Sequence, residues 1–329
     1  MEATVRVVTI EEHWSTTELD AALRIQPAET RDPSVALNDD GDIPIRLHDI
    51  GADRVAWMDA AGVDVQILSL APPGTHGLPA AEAVALSRDA NDRASAAVAD
   101  HPARFRAMTT LPMSDPDGAV AELERTAGSS AHVGIMTHGR CGDRTLDDPV
   151  YDDVFATAVR LHRPVFIHPQ IAPRTVVNTS YGGLAPDLEL ALATFGWGWH
   201  VEAGLAAVRL IVSGVFDRHP DLQLVLGHWG EMVLFMLDRV NSLSEVARLD
   251  RRIADYFSTN VYITASGMLT PRLLRHALDF TTVDHILLSG DYPFHLLDRA
   301  TTATFLDTLA DPLDREKIAH ANAESLYGL

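Results

Sequence analysis

The sequence has almost no cysteine: Cys141 is the only one among 329 residues. A single thiol excludes an internal disulfide and is typical of a protein kept in a reducing compartment. The first ten residues lack both the basic head and the apolar core of a signal peptide. These features together favour a cytoplasmic location.

Long apolar runs and an excess of positive charge are also missing. No apolar stretch approaches the roughly 18 residues that cross a bilayer, so we expect no membrane segment. The formal net charge is -20, and no basic stripe is available to bind a phosphate backbone, which argues against nucleic acid as a partner. A small anionic substrate stays compatible with this charge, because a bound cation and one arginine make a local positive site.

The chain does contain eight short apolar runs, separated by helical patterns. Almost continuous apolar character is typical of parallel strands covered on both faces. The predicted strands span residues 5–10, 63–70, 105–112, 132–138, 164–169, 222–228, 261–266 and 285–293. The predicted helices span residues 81–99, 115–126, 149–161, 201–216, 231–249, 271–278 and 315–326. We therefore predict the α/β class, with residues 1–329 forming one (β/α)8 TIM-barrel domain and residues 15–49 an irregular insertion after the first strand.

Metal-binding residue types lie at the ends of the predicted strands, where this fold places its catalytic groups. They are Glu11 and His13 on the first strand, His168 on the fifth, His228 on the sixth and Asp291 on the eighth. Strand alternation puts Glu11 and His13 on one face and turns Glu12 away. Mixed nitrogen and oxygen ligands without a thiolate suit Zn²⁺ or Mn²⁺. We predict one such ion, with Glu11, His13, His168 and Asp291 as its ligands.

Two further residues are candidates for acid–base chemistry beside the metal. His228 lies in the motif GHWGE, and Glu231 follows it by three residues. A histidine next to a metal site often acts as a general acid or base near neutral pH, although it could instead be hydrogen-bonded in the barrel wall.

Three residues besides His76 are candidates for binding a substrate, each with a structural role as the alternative. Arg239 could bind a substrate carboxylate or form a surface ion pair. His138, which ends the fourth strand, could line the pocket, as could His76 after the second. Trp199 could form the wall of an aromatic pocket or pack beneath a loop. No glycine-rich nucleotide motif opens a predicted helix, which counts against an organic cofactor.

These residues together resemble the amidohydrolase-related aromatic decarboxylases, the family of the γ-resorcylate, 2,3-dihydroxybenzoate and salicylate decarboxylases. The likeness extends along nearly the whole chain, through EEHW, TLDDPVYD, PVFIHP, VRLIVSGVFDRHPDLQLVLGHWGE, VYITASG, LLSGDYPF and KIAHANAESL. It implies a non-oxidative, metal-dependent decarboxylase of an ortho-hydroxybenzoate-type acid that needs no organic cofactor. It also implies a homodimer or homotetramer.

The resemblance implies a role for each residue. Glu11, His13, His168 and Asp291 match the metal ligands, His228 and Glu231 the acid–base pair, and Arg239 the arginine near the substrate. Asp291 would donate the proton that replaces the carboxylate. Two departures bear on the substrate: His138 replaces an asparagine, and Asp238 replaces a tryptophan.

Two other functions stay open at this point. A metal-dependent hydrolase or hydratase of a lactone or amide would use the same scaffold, with Asp291 as the base that activates water. A barrel that only binds a partner is the third possibility, because a fold alone does not establish a function.

Overall fold

A computed structural model describes residues 5–329, and a closed parallel barrel forms its centre. The strands are β1 (Val8–Trp14), β2 (Val65–Leu70), β3 (Phe105–Thr110), β4 (His132–His138), β5 (Val165–His168), β6 (Leu224–Leu226), β7 (Val261–Thr264) and β8 (Ile286–Leu287). They pair in this order. A bridge between Ile10 and Ser289 joins the first strand to the last. The predicted (β/α)8 barrel is confirmed.

Helices surround the barrel and fill its connections. The α-helices are Thr17–Ile25, Ile43–His48, Ala52–Ala61, Ala80–Asp100, Pro116–Ala127, Asp152–Arg160, Arg174–Val176, Pro186–Ala193, Gly198–Val212, Val215–Arg218, Val233–Val240, Leu243–Ala247, Ile253–Thr259, Pro271–Leu278, Arg299–Leu306, Pro312–Glu316 and Asn322–Tyr327. Shorter 3-10 and π turns span Pro33–Asp39, Pro149–Tyr151, Val177–Tyr181, Val283–His285 and Lys317–Ala321. Within residues 5–329, no helix combines the length and the apolar character needed to cross a membrane.

The insertion after β1 is more ordered than the sequence indicates. Its first helix, Thr17–Ile25, begins at Thr16, whose hydroxyl accepts the N–H of Leu19. The buried carboxylate of Asp20 accepts a hydrogen bond from Ser15 Oγ at 2.6 Å and lies 2.7 Å from His48 Nε2. These contacts join both ends of the insertion, so the order comes from long-range hydrogen bonds that a local pattern does not reveal.

The segment after β6 differs from the single helix predicted over residues 231–249. Residues His228 to Met232 form a left-handed turn in which every φ is positive, and the helices Val233–Val240 and Leu243–Ala247 follow. The turn is held from outside, because Ser266 Oγ accepts the His228 N–H and Trp229 Nε1 donates to the Met268 carbonyl. The apolar spacing continues through the break, which explains why the helix prediction was wrong here.

Apolar side chains close the amino-terminal end of the barrel. The inner cluster contains Val8, Ile10, Ile67, Met108, Phe166, Val225 and Leu287 together with Tyr327 of the last helix. The carboxyl end of the strands is the polar end, and the candidate site lies there.

Candidate active site at the carboxyl end of the barrel

Three of the predicted metal ligands lie together at the end of the barrel. Glu11, His13 and His168 are buried, and each offers one ligand atom, all within 4.8 Å of one another. Glu11 Oε1 lies 3.7 Å from His168 Nε2. We call these three residues the triad.

A break in the strand geometry aims Glu11 into the site. The pairing of β1 with β2 shifts register between Thr9 and Glu12, and Glu11 has a left-handed φ of 64°. Simple alternation along the strand therefore does not account for its direction. Ser266 and Ser289 donate hydrogen bonds to Glu11 Oε2, which leaves Oε1 facing the other two triad residues.

The two imidazoles are oriented through the nitrogen that faces away from the site. His13 Nδ1 lies 3.2 Å from Ser69 Oγ, and His168 Nδ1 lies 2.7 Å from the Pro169 carbonyl. Contacts of this kind hold a ring so that Nε2 points to a metal. The Nε2 atom of His13 is buried without a hydrogen-bond partner among residues 5–329.

The triad fits a divalent cation. Glu11 Oε1 is also buried without a hydrogen-bond partner in the described chain. Burial raises the pKa of Glu11 to about 8, and the opposing charge of His228 does not offset it. A buried carboxylate oxygen and an imidazole nitrogen without hydrogen-bond partners, next to a second imidazole, are a set of ligands that suits a divalent ion.

Asp291 lies against the triad. Its Oδ1 lies 3.3 Å from His13 Nε2, without the angle of a hydrogen bond, and its Oδ2 lies 3.9 Å from His228 Nε2. Burial alone would raise the pKa of Asp291, but the contacts with His13 and His228 outweigh it and hold this pKa below its usual range. Its role as the fourth ligand stays a prediction.

Of the two residues His228 and Asp291, His228 carries the proton. Burial works against its charge, yet the carboxylates of Glu231 and Glu11 raise the pKa of His228 well above its usual value. The Nδ1 atom of His228 lies 2.7 Å from Glu231 Oε1. The structure therefore places the predicted acid–base pair beside Asp291.

One residue of this network, His200, was not predicted from the sequence. Its Nδ1 lies 2.8 Å from Glu231 Oε2, and its Nε2 lies 3.0 Å from the Phe195 carbonyl. Burial opposes ionisation of Glu231, but His228 and His200 outweigh it and lower the pKa of Glu231 to about 2. No local motif marks His200, because 31 residues separate it from Glu231.

Two of the three predicted substrate residues reach the site. The ring centroids of His138 and Trp199 lie 5.7 Å and 6.0 Å from that of His168. His138 Nδ1 lies 3.2 Å from His76 Nδ1. His138 Nε2 and Trp199 Nε1 are buried without a hydrogen-bond partner among the described residues. Both therefore present a free polar atom next to the triad.

Arg239 is not part of this cluster. Its side chain is exposed on the helix Val233–Val240, where it forms no hydrogen bond or ion pair with the rest of residues 5–329. Its role in substrate binding stays a prediction. Arg140, two residues after the end of β4, lies closer to the site. Burial lowers the pKa of His76, and the charge of Arg140 lowers it further.

A cleft of about 1330 Å³ begins at His76 and His138. Five arginines line it: Arg24, Arg31, Arg140, Arg144 and Arg174. Of these, only Arg24 has a carboxylate of the described chain within ion-pair distance, that of Asp39. Four carboxylates also line it, those of Glu29, Asp32, Asp39 and Asp143, so the arginines exceed the carboxylates by one in a chain of net charge -20.

Comparisons with known proteins agree with this geometry. The family model described as amidohydrolase matches residues 40–329. The γ-resorcylate decarboxylase of Rhizobium radiobacter is 33% identical over 301 residues, which cover 86% of this chain and 89% of that protein.

Solved structures are similar over nearly the whole chain. The 5-carboxyvanillate decarboxylase of Sphingomonas paucimobilis superimposes with a TM-score of 0.89 at 28% identity and covers 99% of both chains. The dihydroxybenzoic acid decarboxylase of Polaromonas, solved with manganese and the inhibitor 2-nitroresorcinol, gives a TM-score of 0.85 at 30% identity, over 99% of this chain and 97% of its own. This chain therefore belongs to the amidohydrolase family, and its resemblance to the γ-resorcylate decarboxylases is confirmed.

Proposed function

We propose that this chain is a metal-dependent, non-oxidative decarboxylase of a hydroxylated aromatic carboxylic acid, with the hydroxyl group ortho to the carboxylate. The observation that carries the proposal is the position of Asp291, between the triad and His228. The relatives named for aromatic acid decarboxylation support the same reaction class.

The triad would hold one divalent ion, Zn²⁺ or Mn²⁺, and Asp291 would be a fourth ligand. When bound, such an ion supplies positive charge that stabilises negative charge developing on the substrate's oxygens. The remaining chemistry belongs to the side chains.

The proton follows a short path. His228, which carries the proton, passes it to Asp291 Oδ2, and Asp291 delivers it to the ring carbon that bears the carboxylate. The bond from this carbon to the carboxylate then breaks, its electron pair restores the aromatic ring, and CO₂ leaves. Glu231 holds His228 through Nδ1 during both transfers. The same path in reverse would carboxylate the ring.

The substrate's ring would lie beside His168, between His138 and Trp199. The free Nε atoms of these two residues would bind ring substituents, and the arginine-lined cleft would admit an anionic acid. Arg239 has no contact with the site within one chain. We therefore assign to Arg140 the role of the cationic residue that lies nearest the substrate.

We also propose that the protein forms a homodimer or homotetramer. Large apolar side chains are exposed on the helices Gly198–Val212, Val233–Val240 and Leu243–Ala247: Val201, Leu205, Phe235, Met236, Leu243 and Val246. Exposed apolar side chains on these three helices would be buried if another copy of the chain covered them.

A direct assay tests the function. The protein is stripped of metal, reloaded with Mn²⁺ or Zn²⁺ and incubated with a panel of ortho-hydroxybenzoates while CO₂ release is followed. We expect release with at least one acid and none from metal-free protein. Metal-loaded protein that decarboxylates no member of the panel contradicts the proposal. Solvent ¹⁸O in a product formed without CO₂ would instead indicate the hydrolase, which no specific observation favours.

A further inference from the structure

Three buried polar residues lie directly behind the triad, and the mechanism above does not use them. Glu12, Gln66 and Arg54 are completely buried. Gln66 Nε2 donates to Glu12 Oε2 at 2.6 Å, and Arg54 Nε donates to Gln66 Oε1 at 2.7 Å. We call these three residues the brace. Buried charges of this kind are weak evidence for stability, because removing them from water costs free energy that their attraction seldom exceeds.

Both ends of the brace bind the backbone beside site residues. Glu12 Oε1 accepts the N–H of Gly290, which precedes Asp291, at 2.8 Å. Arg54 Nη1 donates to the carbonyl of His13 at 2.8 Å. The strand pattern turns the Glu12 side chain away from the triad. Glu12 therefore connects the segment that carries Glu11 and His13 to the segment that carries Asp291.

The segment after Asp291 is held as well. The guanidinium carbon of Arg54 lies 4.3 Å from the centroid of the Tyr292 ring. The Tyr292 carbonyl accepts the N–H of His13 at 2.7 Å. The approach of Glu12 also explains the glycine before Asp291, because a Cβ at Gly290 would lie 2.6 Å from Glu12 Oε1.

The backbone that the brace holds is strained. Glu11 has a φ of 64° and Asp291 a φ of 59°, both in the left-handed region that is unfavourable for residues other than glycine. Such conformations persist only where surrounding contacts over-determine them. Glu12 directly follows Glu11, and its side chain binds Gly290, which precedes Asp291. Arg54 contacts His13 and Tyr292, which lie two residues after Glu11 and one residue after Asp291.

We propose that Glu12, Gln66 and Arg54 are positioning residues, which hold the backbone of Glu11, His13 and Asp291 in the arrangement that binds the metal ion. This inference rests on the proposed metal site. It assigns no chemical step to the brace, so metal binding tests it without any turnover.

The direction of the hydrogen bonds supplies a sharp test. In Glu12→Gln, the amide groups at positions 12 and 66 cannot satisfy both neighbours: whichever way the Gln66 amide is turned, two N–H donors face each other. Adding Gln66→Glu removes the conflict, because the carboxylate at position 66 then accepts from both sides. The brace of this double variant has the same total charge as that of the wild type.

Two measurements on the full chain report the outcome: the Co²⁺ dissociation constant by chelator competition, and the visible spectrum of the Co²⁺-loaded protein. Losing a contact that orients a ligand typically weakens metal affinity about 10- to 100-fold, which we expect for Glu12→Gln together with an altered spectrum. The double variant Glu12→Gln/Gln66→Glu should recover both. Arg54→Lys keeps the charge but cannot donate to both Gln66 and the His13 carbonyl. Its Co²⁺ affinity and spectrum should resemble those of Glu12→Gln, and it replaces that variant in the test if Glu12→Gln does not fold.

Arg125→Met is the matched control. It breaks another partly buried network, in which Arg125 binds Glu122 and Glu122 accepts from Asn91, between the helices Ala80–Asp100 and Pro116–Ala127. It should lower the melting temperature while Co²⁺ affinity and spectrum stay those of the wild type. Brace variants that melt lower but bind Co²⁺ normally, or a double variant without recovery, overturn the inference alone. Wild-type protein that binds no metal overturns the proposed function and the inference with it.

Discussion

Asp291 faces the triad through one oxygen and the protonated His228 through the other. An amide at this position can still accept a hydrogen bond, but it cannot carry a proton to the ring. For Asp291→Asn we expect kcat to fall about 10²- to 10⁴-fold, the usual contribution of a positioned acid. Metal content, measured by atomic emission, should stay near one ion per chain because the triad is intact. Turnover near the wild-type rate would exclude Asp291 as the donor.

His200 should contribute to catalysis by holding Glu231. Its two ring nitrogens face the Glu231 carboxylate and the Phe195 carbonyl. In His200→Phe the carboxylate loses one donor, and a hydrogen bond to a charged group is worth about 1.5–3 kcal/mol. We expect kcat to fall roughly 10- to 100-fold. His200→Asn is the control, because its amide can still donate to Glu231 and should keep most of the activity. Equal losses in both variants would contradict this role.

Cys141 should react slowly with thiol reagents. Burial raises the pKa of its thiol to about 11, despite the charges of Arg140 and Arg144. The thiolate is the reactive form, so only about one thiol in a thousand is ionised at pH 8. We expect the rate of labelling by an aromatic disulfide to rise about tenfold per pH unit from pH 7 to pH 10. A rate that levels off near pH 8.5 would show an ordinary, exposed thiol.

The insertion after β1 depends on one carboxylate. Asp20→Ala leaves Ser15 and His48 without their buried partner, so we expect the free energy of unfolding to fall by about 1–3 kcal/mol. Glu18→Ala, in the same helix, removes an exposed ion pair with Arg93 and an exposed hydrogen bond from Thr17, and it should change this free energy by less than about 0.5 kcal/mol. Urea titration measures both variants. Equal effects would mean that the helix is held by other contacts.

The sequence predicts the elements better than it predicts their ends. All eight strands were predicted because buried parallel strands are almost continuously apolar, yet β8 spans only Ile286–Leu287, within a predicted span of nine residues. Glu11 was predicted correctly as facing the site with His13, but a register shift and a left-handed φ produce that direction. His200 and the brace depend on contacts between distant segments, which no local pattern contains. The cytoplasmic location stays a prediction.

Assembly should depend on the exposed apolar face. The Phe235 side chain is 79% exposed on the helix Val233–Val240. Phe235→Glu would place a charge in the surface that we propose another copy covers, so we expect sedimentation velocity to show a shift towards monomer. Ile25→Glu is the control, because Ile25 is 78% exposed on the insertion helix and should leave the assembly unchanged. A wild-type protein that is already monomeric would contradict the proposed oligomer.

The left-handed backbone has a consequence for how this molecule tolerates change. Between residues 5 and 329, nine residues other than glycine have a positive φ, and seven of them belong to the site or border it: Glu11, His228, Trp229, Glu231, Met232, Ser266 and Asp291. Each such residue costs about 1–3 kcal/mol. Laboratory evolution for heat resistance alone would therefore gain most stability from substitutions that remove these left-handed conformations at the carboxyl end of the barrel. Heat-tolerant descendants selected without an activity screen should be stable but inert proteins.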